Sequence, residues 1–184
     1  MLDMVMYGLM ILIVICIILI WYVNVYNKFQ EYIIRINEVE SNIDTILRKR
    51  FDLLNKSIGI IKSSNEELND KDVLKEINEL RSKKLSNFEL DRLLYESINE
   101  FHLYKDTIPE LKNNESFMKI DLGINESEIE ITALRKYYND IITEYNKSVK
   151  VFPNMIVSKI CHYKNKPYFD GKDMTDNIVN DFKL

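Results

Sequence analysis

Residues 4–23 read MVMYGLMILIVICIILIWYV, an apolar run without a single charged side chain. At about 1.5 Å per helical residue, such a run covers ~30 Å, the thickness of the hydrocarbon core of a bilayer. Trp21, Tyr22 and Tyr26 lie at one end and Tyr7 near the other, and aromatic rings favour the headgroup level. The run therefore predicts a transmembrane helix from Met4 to Val23 that follows a short N-terminal end, residues 1–3.

A cleaved signal peptide is the alternative interpretation of the same run. A signal peptide has a positively charged start, a shorter apolar stretch and a cleavage site made of small residues. This chain begins Met-Leu-Asp, and its apolar run continues directly into Val25-Tyr26-Asn27. Cys16 follows Ile15 rather than a small residue, so we do not expect lipid attachment there. The sequence favours an anchor that is retained.

The orientation is predicted from the lysines and arginines that flank the span. None precedes the span, whereas Lys28, Arg35 and Arg48-Lys49-Arg50 follow it. Basic flanks tend to remain in the cytoplasm. We therefore expect a short N-terminus outside and a large C-terminal domain inside the cell.

Composition limits what the rest of the chain can be. The residues beyond the anchor are enough for one domain with a core, and too few for two. The net charge of −4 is spread along the chain, so no basic face predicts a nucleic-acid partner. Cys16 and Cys161 offer no disulfide framework. Between Asn24 and Ile108 there is no proline and only Gly59, which predicts helix almost throughout.

The first helix beyond the anchor is predicted from an apolar stripe between Ile33 and Lys62. Its members recur at alternating spacings of three and four, with Glu40 as the one charged residue in the series. They are Ile36, Ile43, Leu47, Phe51, Leu54, Ile58 and Ile61. Because no helix breaker separates this stripe from the span, anchor and first helix are expected to form one continuous rod.

Two shorter helices are predicted next. Asn69-Asp70 can cap a second helix that carries Val73, Ile77 and Leu80, and Ser86-Asn87-Phe88-Glu89 fits a capping box that opens a third. The apolar side of the third helix is Leu90, Leu94, Ile98 and Phe101. One bent helix in place of these two is the alternative.

Two prolines set the limits of the last long helix. Pro109 ends the third helix, and Asn113 and Asn114 can cap the next one. Pro153 stops that helix, and the short apolar segment 155–160 precedes a polar tail. The stripe of the last helix is Ile120, Ile124, Ile131, Leu134, Tyr138, Ile141, Tyr145, Val149 and Phe152.

These elements predict an all-α fold. An N-terminal transmembrane helix (residues 4–23) precedes an antiparallel bundle of about four helices, two of them long (24–152), and then a short helix with a polar tail (153–184). Burial within one chain is the expected outcome for stripes that would otherwise forgo about 25 cal/mol per Å² in water. A parallel coiled-coil dimer is the rival arrangement.

Three ordered blocks of residues resemble the LemA family, bacterial proteins with one N-terminal transmembrane helix and a helical-bundle domain. The first block is Tyr26-Asn27, Ser41-Asn42-Ile43-Asp44, Leu47, Arg48-Lys49-Arg50 and Asp52-Leu53. The second is Ile108-Pro109-Glu110-Leu111-Lys112, Asn114 and Phe117. The third is Glu128, Ile131, Arg135, Tyr138-Asn139, Tyr145-Asn146, Phe152-Pro153 and Pro167-Tyr168-Phe169.

The resemblance implies a single-pass protein of the bacterial cytoplasmic membrane, with no established catalytic residues to carry over. It covers the chain from the anchor to about Asp170. The sequence departs from the family pattern at Asn55, where a proline is usual, and at Val157 to Tyr163, where glycines are usual.

Two Tyr-Asn pairs lie one heptad apart, so their tyrosines share one helical face and their asparagines an adjacent one. One interpretation is a polar recognition ladder. The interpretation that we favour is structural: the rings of Tyr138 and Tyr145 bury in the core, while the amides of Asn139 and Asn146 bond a neighbouring helix and fix its register.

Charged residues near Arg50 have two interpretations as well. Asp44 and Arg48 have the spacing of a helical ion pair, with Arg50 and Asp52 continuing the cluster. If the basic residues face the bundle, they can pair with Glu126, Glu128 or Glu130. A site for a phosphate or a lipid headgroup is the less favoured alternative.

Metal and catalytic sites are not predicted. His102 lies near Glu100 and Asp106, and Cys161-His162 supplies at most two of the four ligands of a structural zinc site. No glycine-rich phosphate loop and no nucleophile with a paired base is present in the sequence. We expect no cofactor.

Three functions remain open from the sequence. The favoured one is a non-enzymatic scaffold or adaptor, tethered to the membrane and bound to a protein partner whose identity the sequence does not give. The second is a self-assembling protein that organises the membrane. The third, least favoured, is a metal-dependent regulator or enzyme that uses Glu126, Glu128 and Glu130.

Overall fold

The computed structural model describes residues 2–64, 74, 77 and 86–169, and these residues contain helices and no strand. The helices are α1 (Leu2–Ser64), α2 (Asn87–Thr107), α3 (Pro109–Lys112), α4 (Glu115–Lys150) and α5 (Asn154–Ile160). The prediction of an all-α fold is confirmed.

Helix α1 runs without interruption from the apolar stretch through the first stripe, as predicted. Its 63 residues contain no proline, and its two glycines, Gly8 and Gly59, are tolerated within the helix. The apolar run and the first bundle helix are therefore one element.

The start of α2 is set by a capping box at Ser86, as predicted. The Ser86 side chain accepts a hydrogen bond from the Glu89 backbone N–H, and the Glu89 carboxylate accepts one from the Ser86 backbone N–H at 2.9 Å. Because the backbone of Ser86 is extended, this residue caps α2. The choice between two helices and one bent helix depends on residues outside the described ones. The predicted cap at Asn69-Asp70, with Val73 and Leu80, lies outside the described residues.

Pro109 ends α2 and opens α3, a four-residue helix that was not predicted. Proline is favoured at the first helical position because it lacks the N–H that has no partner there. The predicted cap at Asn114 is confirmed, since its Oδ1 accepts a hydrogen bond from the Phe117 N–H at 3.0 Å.

The C-terminal end of α4 differs from the prediction. The helix ends at Lys150, and Phe152, which we had placed on its buried stripe, is 72% exposed. A proline disfavours helical geometry in the residue before it, so Pro153 stops the helix ahead of Phe152. The apolar segment after it forms α5, as expected.

The chain divides into two compact units. The first unit combines Met1–Glu38 with Asp140–Pro167, and the second combines Val39–Asn139 with Tyr168–Leu184. In the first unit, the ring of Phe29 on α1 meets the ring of Tyr145 on α4 edge to face, with centroids 6.0 Å apart.

In the second unit, α1 and α4 run antiparallel. Glu40 contacts Tyr138, whereas Leu53, farther along α1, lies beside Gly123, earlier in α4. Helix α2 also runs antiparallel to α4, since Asp91 pairs with Arg135 and Phe101 stacks on Phe117. The antiparallel packing predicted for the bundle is thus present in this unit.

The α1 stripe of the second unit is buried, with one correction. Five predicted members, Ile43, Leu47, Leu54, Ile58 and Ile61, are at most 8% exposed. Phe51 is only half-buried, whereas its neighbour Arg50 is fully buried. Arg50 falls between Leu47 and Leu54 at helical spacings of three and four, so it occupies a core position.

Candidate functional site

Arg50 is the centre of a buried charge cluster in the second unit. Its side chain has no exposed surface. Its Nε donates a hydrogen bond to the Ser127 hydroxyl at 3.0 Å, and its Nη2 donates one to the Glu128 carboxylate. Its Nη1 lies 3.6 Å from Asp91 Oδ1. The pairing of this basic segment with Glu128 agrees with the interpretation that it faces the bundle.

Asp91 binds a second arginine. Both of its carboxylate oxygens accept hydrogen bonds from Arg135 Nη2 at 2.5 Å. With Arg50 and Glu128, the cluster holds two guanidinium groups and two carboxylates, so its formal charges balance. We name these four residues, with Ser127, the Arg50 cluster.

Burial disfavours the charged forms of both Arg50 and Asp91 in the Arg50 cluster. Burial raises the pKa of Asp91, and the charges of Arg135 and Arg50 oppose that rise. Burial likewise lowers the pKa of Arg50, opposed by Glu128 and Asp91. The charges of Arg50 and Asp91 are therefore kept in the core by their partners, which is the usual condition for buried ion pairs.

The remaining basic residues of this segment pair at the surface. Arg48 Nε donates to Asp44 at 2.7 Å, as the spacing predicted, and its side chain is 74% exposed. Lys49 Nζ lies 3.7 Å from Glu130. Glu126 is exposed. Exposed pairs of this kind contribute only ~0.2–1 kcal/mol, so Arg50 is the member that distinguishes the segment.

An open groove lies between α2 and α4, and Glu128 of the Arg50 cluster is part of its lining. It encloses about 260 Å³. Glu128 belongs both to the groove and to the cluster, and its side chain is 46% exposed. The residues that line what we name the α2–α4 groove are Tyr95, Ile98, Asn99, His102, Ile124, Asn125 and Glu128.

The edges of the α2–α4 groove carry apolar side chains in solvent. Leu122 and Ile129 lie on the same face of α4 as Asn125, and they are 60% and 74% exposed. On α2, Leu103 is 61% exposed and Tyr95 55%. Exposed apolar side chains collected around a concavity are typical of a protein-interaction surface.

A second, smaller cavity of about 210 Å³ lies beside Tyr138. The Tyr138 hydroxyl donates to Glu40 at 3.4 Å, and the Asn87 amide donates to the Glu40 backbone carbonyl at 3.2 Å. Burial, followed by the charge of Glu40, raises the pKa of Tyr138. Tyr138 is 2% exposed, so the prediction that its ring is buried is confirmed.

The amide of Asn139 binds the backbone of the tail rather than a neighbouring helix. Its Nδ2 donates to the carbonyl of Phe169, and its Oδ1 accepts the N–H of the same residue, both at 2.6 Å. The Phe169 side chain is 3% exposed, and its ring meets Tyr138 edge to face. The predicted partner of this amide is therefore wrong, because a non-helical segment rather than a helix lies beside this face of α4.

Asn146 makes the same pair of bonds within the first unit. Its Nδ2 donates to the carbonyl of Lys166 and its Oδ1 accepts the Lys166 N–H, both at 2.8 Å. We name these two interactions the asparagine clamps. The partner predicted for this amide is wrong for the same reason, whereas the burial predicted for Tyr145 is confirmed at 2% exposure.

The histidines and cysteines are not members of the Arg50 cluster, and Cys161 and His162 are neighbours in the chain. His102 Nε2 lies 3.8 Å from Asp121, which also accepts a hydrogen bond from Lys105 at 2.7 Å. The Cys161 thiol lies 3.6 Å from the Tyr22 hydroxyl. In the described part of the chain, no three His, Cys, Asp or Glu side chains are grouped so that they could hold a metal ion.

The other residues singled out from the sequence occupy diverse positions. Ile43 is buried, Pro109 is the first residue of α3, and Asp44 takes part in the surface pair described above. The exposed ones are Tyr26, Asn27, Asp52, Phe152 and Pro153.

The residues of the expected span are exposed at its start and half-buried near its end. Met4 is 79% and Val23 52% exposed, whereas Trp21 and Tyr22 are half-buried. Among the described residues, α1 is the one helix long and apolar enough to cross a membrane.

Comparison with known protein families gives a match. The model of the LemA family matches residues 39–182, more than three quarters of the chain. The chain belongs to the LemA family. The match to the LemA family includes the Arg50 cluster and both asparagine clamps, and begins after the apolar part of α1. No curated protein and no solved structure gives a significant match.

Sequence reasoning missed several residues of this site. Asp91 and Ser127 complete the Arg50 cluster, and both are buried. Asp121 is a further buried acidic residue that was not predicted, at 5% exposure. Asp91 precedes Leu94 and Ile98 at stripe spacing, so a charged residue at a core position was a signal that a buried cation lies opposite. The groove residues Tyr95 and Asn125 gave no comparable signal, because they are exposed.

Proposed function

We propose that this LemA-family protein is a single-pass anchored scaffold or adaptor of the bacterial cytoplasmic membrane that acts without catalysis of its own. The observation that supports the anchor is the exposure of apolar side chains at the start of α1. The large apolar side chains from Met4 to Ile20 are 47–79% exposed. Leaving such a stretch in water costs on the order of 20 kcal/mol. That exceeds the whole stability of a typical domain, about 5–15 kcal/mol, and a bilayer removes the cost.

The continuity of α1 supports a retained anchor over a cleaved leader. The helix passes from the apolar run into Val25 and Phe29, which are 8% and 1% exposed in the first unit. Cleavage behind the run would cut an unbroken helix close to its packed part. Lys28 and Arg35 follow the span and no basic residue precedes it, which favours a cytoplasmic bundle.

The α2–α4 groove is the surface that we assign to the partner. The polar motif residues Arg50, Asn139 and Asn146 bind within the protein itself, so they do not present a recognition surface. Leu122 and Ile129, by contrast, are exposed beside a concavity. A groove between two helices with apolar edges suits an amphipathic helix of another membrane-associated protein.

Photo-crosslinking in native membranes tests the proposal. A photoreactive residue is placed at Leu122 or at Ile129 of the full chain, and at Arg48 as the control, which is exposed on α1. We expect adducts with another protein from the two groove positions and none from position 48. Adducts with the mass of a second copy would favour self-assembly instead, and the absence of any adduct would contradict the adaptor role.

The anchor has its own test. After extraction of the membranes with alkaline carbonate, the full chain should remain in the pellet. Recovery of the chain in the soluble fraction would refute the anchor, whatever the crosslinks show.

A further inference from the structure

The first unit begins to cover α1 where its apolar run ends. Side chains of α1 are exposed up to Ile20, half-buried at Trp21 and Tyr22, and buried at Val25. The Cys161 thiol, just after α5, lies 3.6 Å from the Tyr22 hydroxyl. This contact places the C-terminal end of α5 at the boundary between the apolar run and the packed part of the unit.

The corner between α4 and α5 is apolar on its outer side. We name Val151, Phe152, Ile156 and Ile160 the corner surface; they are 46%, 72%, 42% and 57% exposed. Helix α5 buries its opposite side, where Val157 is fully buried and the Ser158 hydroxyl donates to the Val149 carbonyl at 3.2 Å. Both sides of this short helix are therefore occupied by apolar residues, although only one side packs on the protein.

The segment around the corner is positively charged. From Tyr145 to Pro167 the sequence has five lysines and no aspartate or glutamate. The lysines are Lys147, Lys150, Lys159, Lys164 and Lys166. Lysines that flank exposed apolar side chains are the composition of a segment that lies in the interface of an anionic membrane.

We propose that the corner surface is a second membrane contact, resting in the headgroup region of the bilayer that α1 enters. Three observations support lipid as the occupant: the corner adjoins the end of the apolar run, its exposed side chains are apolar, and its charges are all positive. The contact would hold the first unit against the membrane rather than leave α1 as its one attachment. This inference rests on the proposed anchor.

Fluorescence depth measurements on the full chain test the proposal and the anchor separately. In a background with Cys16→Ser and Cys161→Ser, single cysteines at Phe152 or Ile160 carry an environment-sensitive label. A label at Glu144, exposed on α4, is the control for the corner, and a label at Val14 reports the anchor. The protein is reconstituted into vesicles of phosphatidylcholine and phosphatidylglycerol that contain lipids with a quencher at a shallow or a deep position of the acyl chain.

The expected result is a blue-shifted emission with strong quenching by the shallow lipid at Phe152 and Ile160, and weak quenching at Glu144. The Val14 label should be quenched by the deep lipid. Quenching at Val14 combined with solvent-like emission from both corner labels would overturn the membrane contact and leave the anchor intact. Loss of quenching at Val14 would instead refute the anchor on which the inference rests.

A second variant guards against a label that enters the membrane by itself. With Phe152→Ser and Ile156→Ser, the Ile160 label should lose its shallow quenching while the helical circular dichroism stays unchanged. Full quenching retained in this variant would overturn the role of the corner side chains.

Discussion

Replacing Asn139 by leucine removes one asparagine clamp and leaves the N–H and carbonyl of Phe169 without these partners. A hydrogen bond contributes about 0.5–1.5 kcal/mol net, so the two bonds predict a loss of about 1–3 kcal/mol. The Phe169 side chain is 3% exposed in the folded protein. Full release of the tail would expose it to water, which would cost about 1.5–3 kcal/mol more. We therefore expect the tail to stay bound for most of the time, but to open more often.

The opening can be measured by proteolysis. A loss of 1–3 kcal/mol raises the population of the open form roughly 5- to 150-fold. When opening and closing are fast, cleavage by chymotrypsin after Tyr168 or Phe169 should rise by the same factor. The cleavage rate is measured by mass spectrometry on the full chain in detergent micelles, and the overall stability by urea unfolding.

The matched control is Asn125→Leu, the same change at an exposed position on the same helix. It should leave the rate of cleavage and the unfolding midpoint close to those of the wild type. If Asn139→Leu behaved like Asn125→Leu in both measurements, the assignment of the clamp to the stability of the tail would be refuted.

Three further predictions concern the second unit. Arg50→Ala should lower the free energy of unfolding by about 3–5 kcal/mol, because it leaves buried Asp91 with one guanidinium group fewer, whereas Arg48→Ala, at an exposed pair, should cost ~0.2–1 kcal/mol in urea unfolding. Gly59→Ala should stabilise the protein by about 0.5–1 kcal/mol in the same assay, since a Cβ there meets nothing within 4 Å; a loss of stability would contradict this. Hydrogen bonds from Ser86 lower the pKa of Glu89. The capping box should therefore add stability above pH 4.5, and this stability should be lost as the pH falls through the lowered pKa. Glu89→Gln should flatten this pH dependence of the melting temperature, and an unchanged slope would exclude Glu89 as its source.

Helix limits were predictable from the sequence because they depend on local chemistry. The capping box at Ser86, the cap at Asn114 and the break at Pro109 each involve residues within a single turn. The end of α4 was predicted two residues too late, because the stripe was extended to Phe152 without allowing for the effect of Pro153 on the residue before it.

The partners of buried polar groups were less predictable because they are distant in sequence. Arg50 is 77 residues from Ser127 and 44 residues separate Asp91 from Arg135. The apolar spacing alone predicted that Phe51 is the core residue of this turn. Arg50 is the core residue instead, because the carboxylates of Asp91 and Glu128 compensate its charge. Periodicity identifies the side of a helix that is buried, but it does not identify which charges compensate one another there.

The asparagine clamps explain why one dipeptide recurs on α4. A primary amide carries a donor and an acceptor on one planar group, so it matches the N–H and the carbonyl of a single extended residue, which neither a carboxylate nor an ammonium group can do. In the second unit, Tyr138 is buried in the core while Asn139 binds the backbone of Phe169. In the first unit, Tyr145 is buried in the core while Asn146 binds the backbone of Lys166. The asparagines thus recognise the backbone of their own chain.

This use of the amides bears on where a partner can bind. Because the clamps bind backbone atoms, the tail up to Phe169 belongs to the fold. It occupies the amides of Asn139 and Asn146. A polar recognition ladder on α4 would need those amides to be released first, at the cost of two hydrogen bonds each. The α2–α4 groove offers exposed Leu122 and Ile129 without that cost, which favours the groove as the site of the proposed partner.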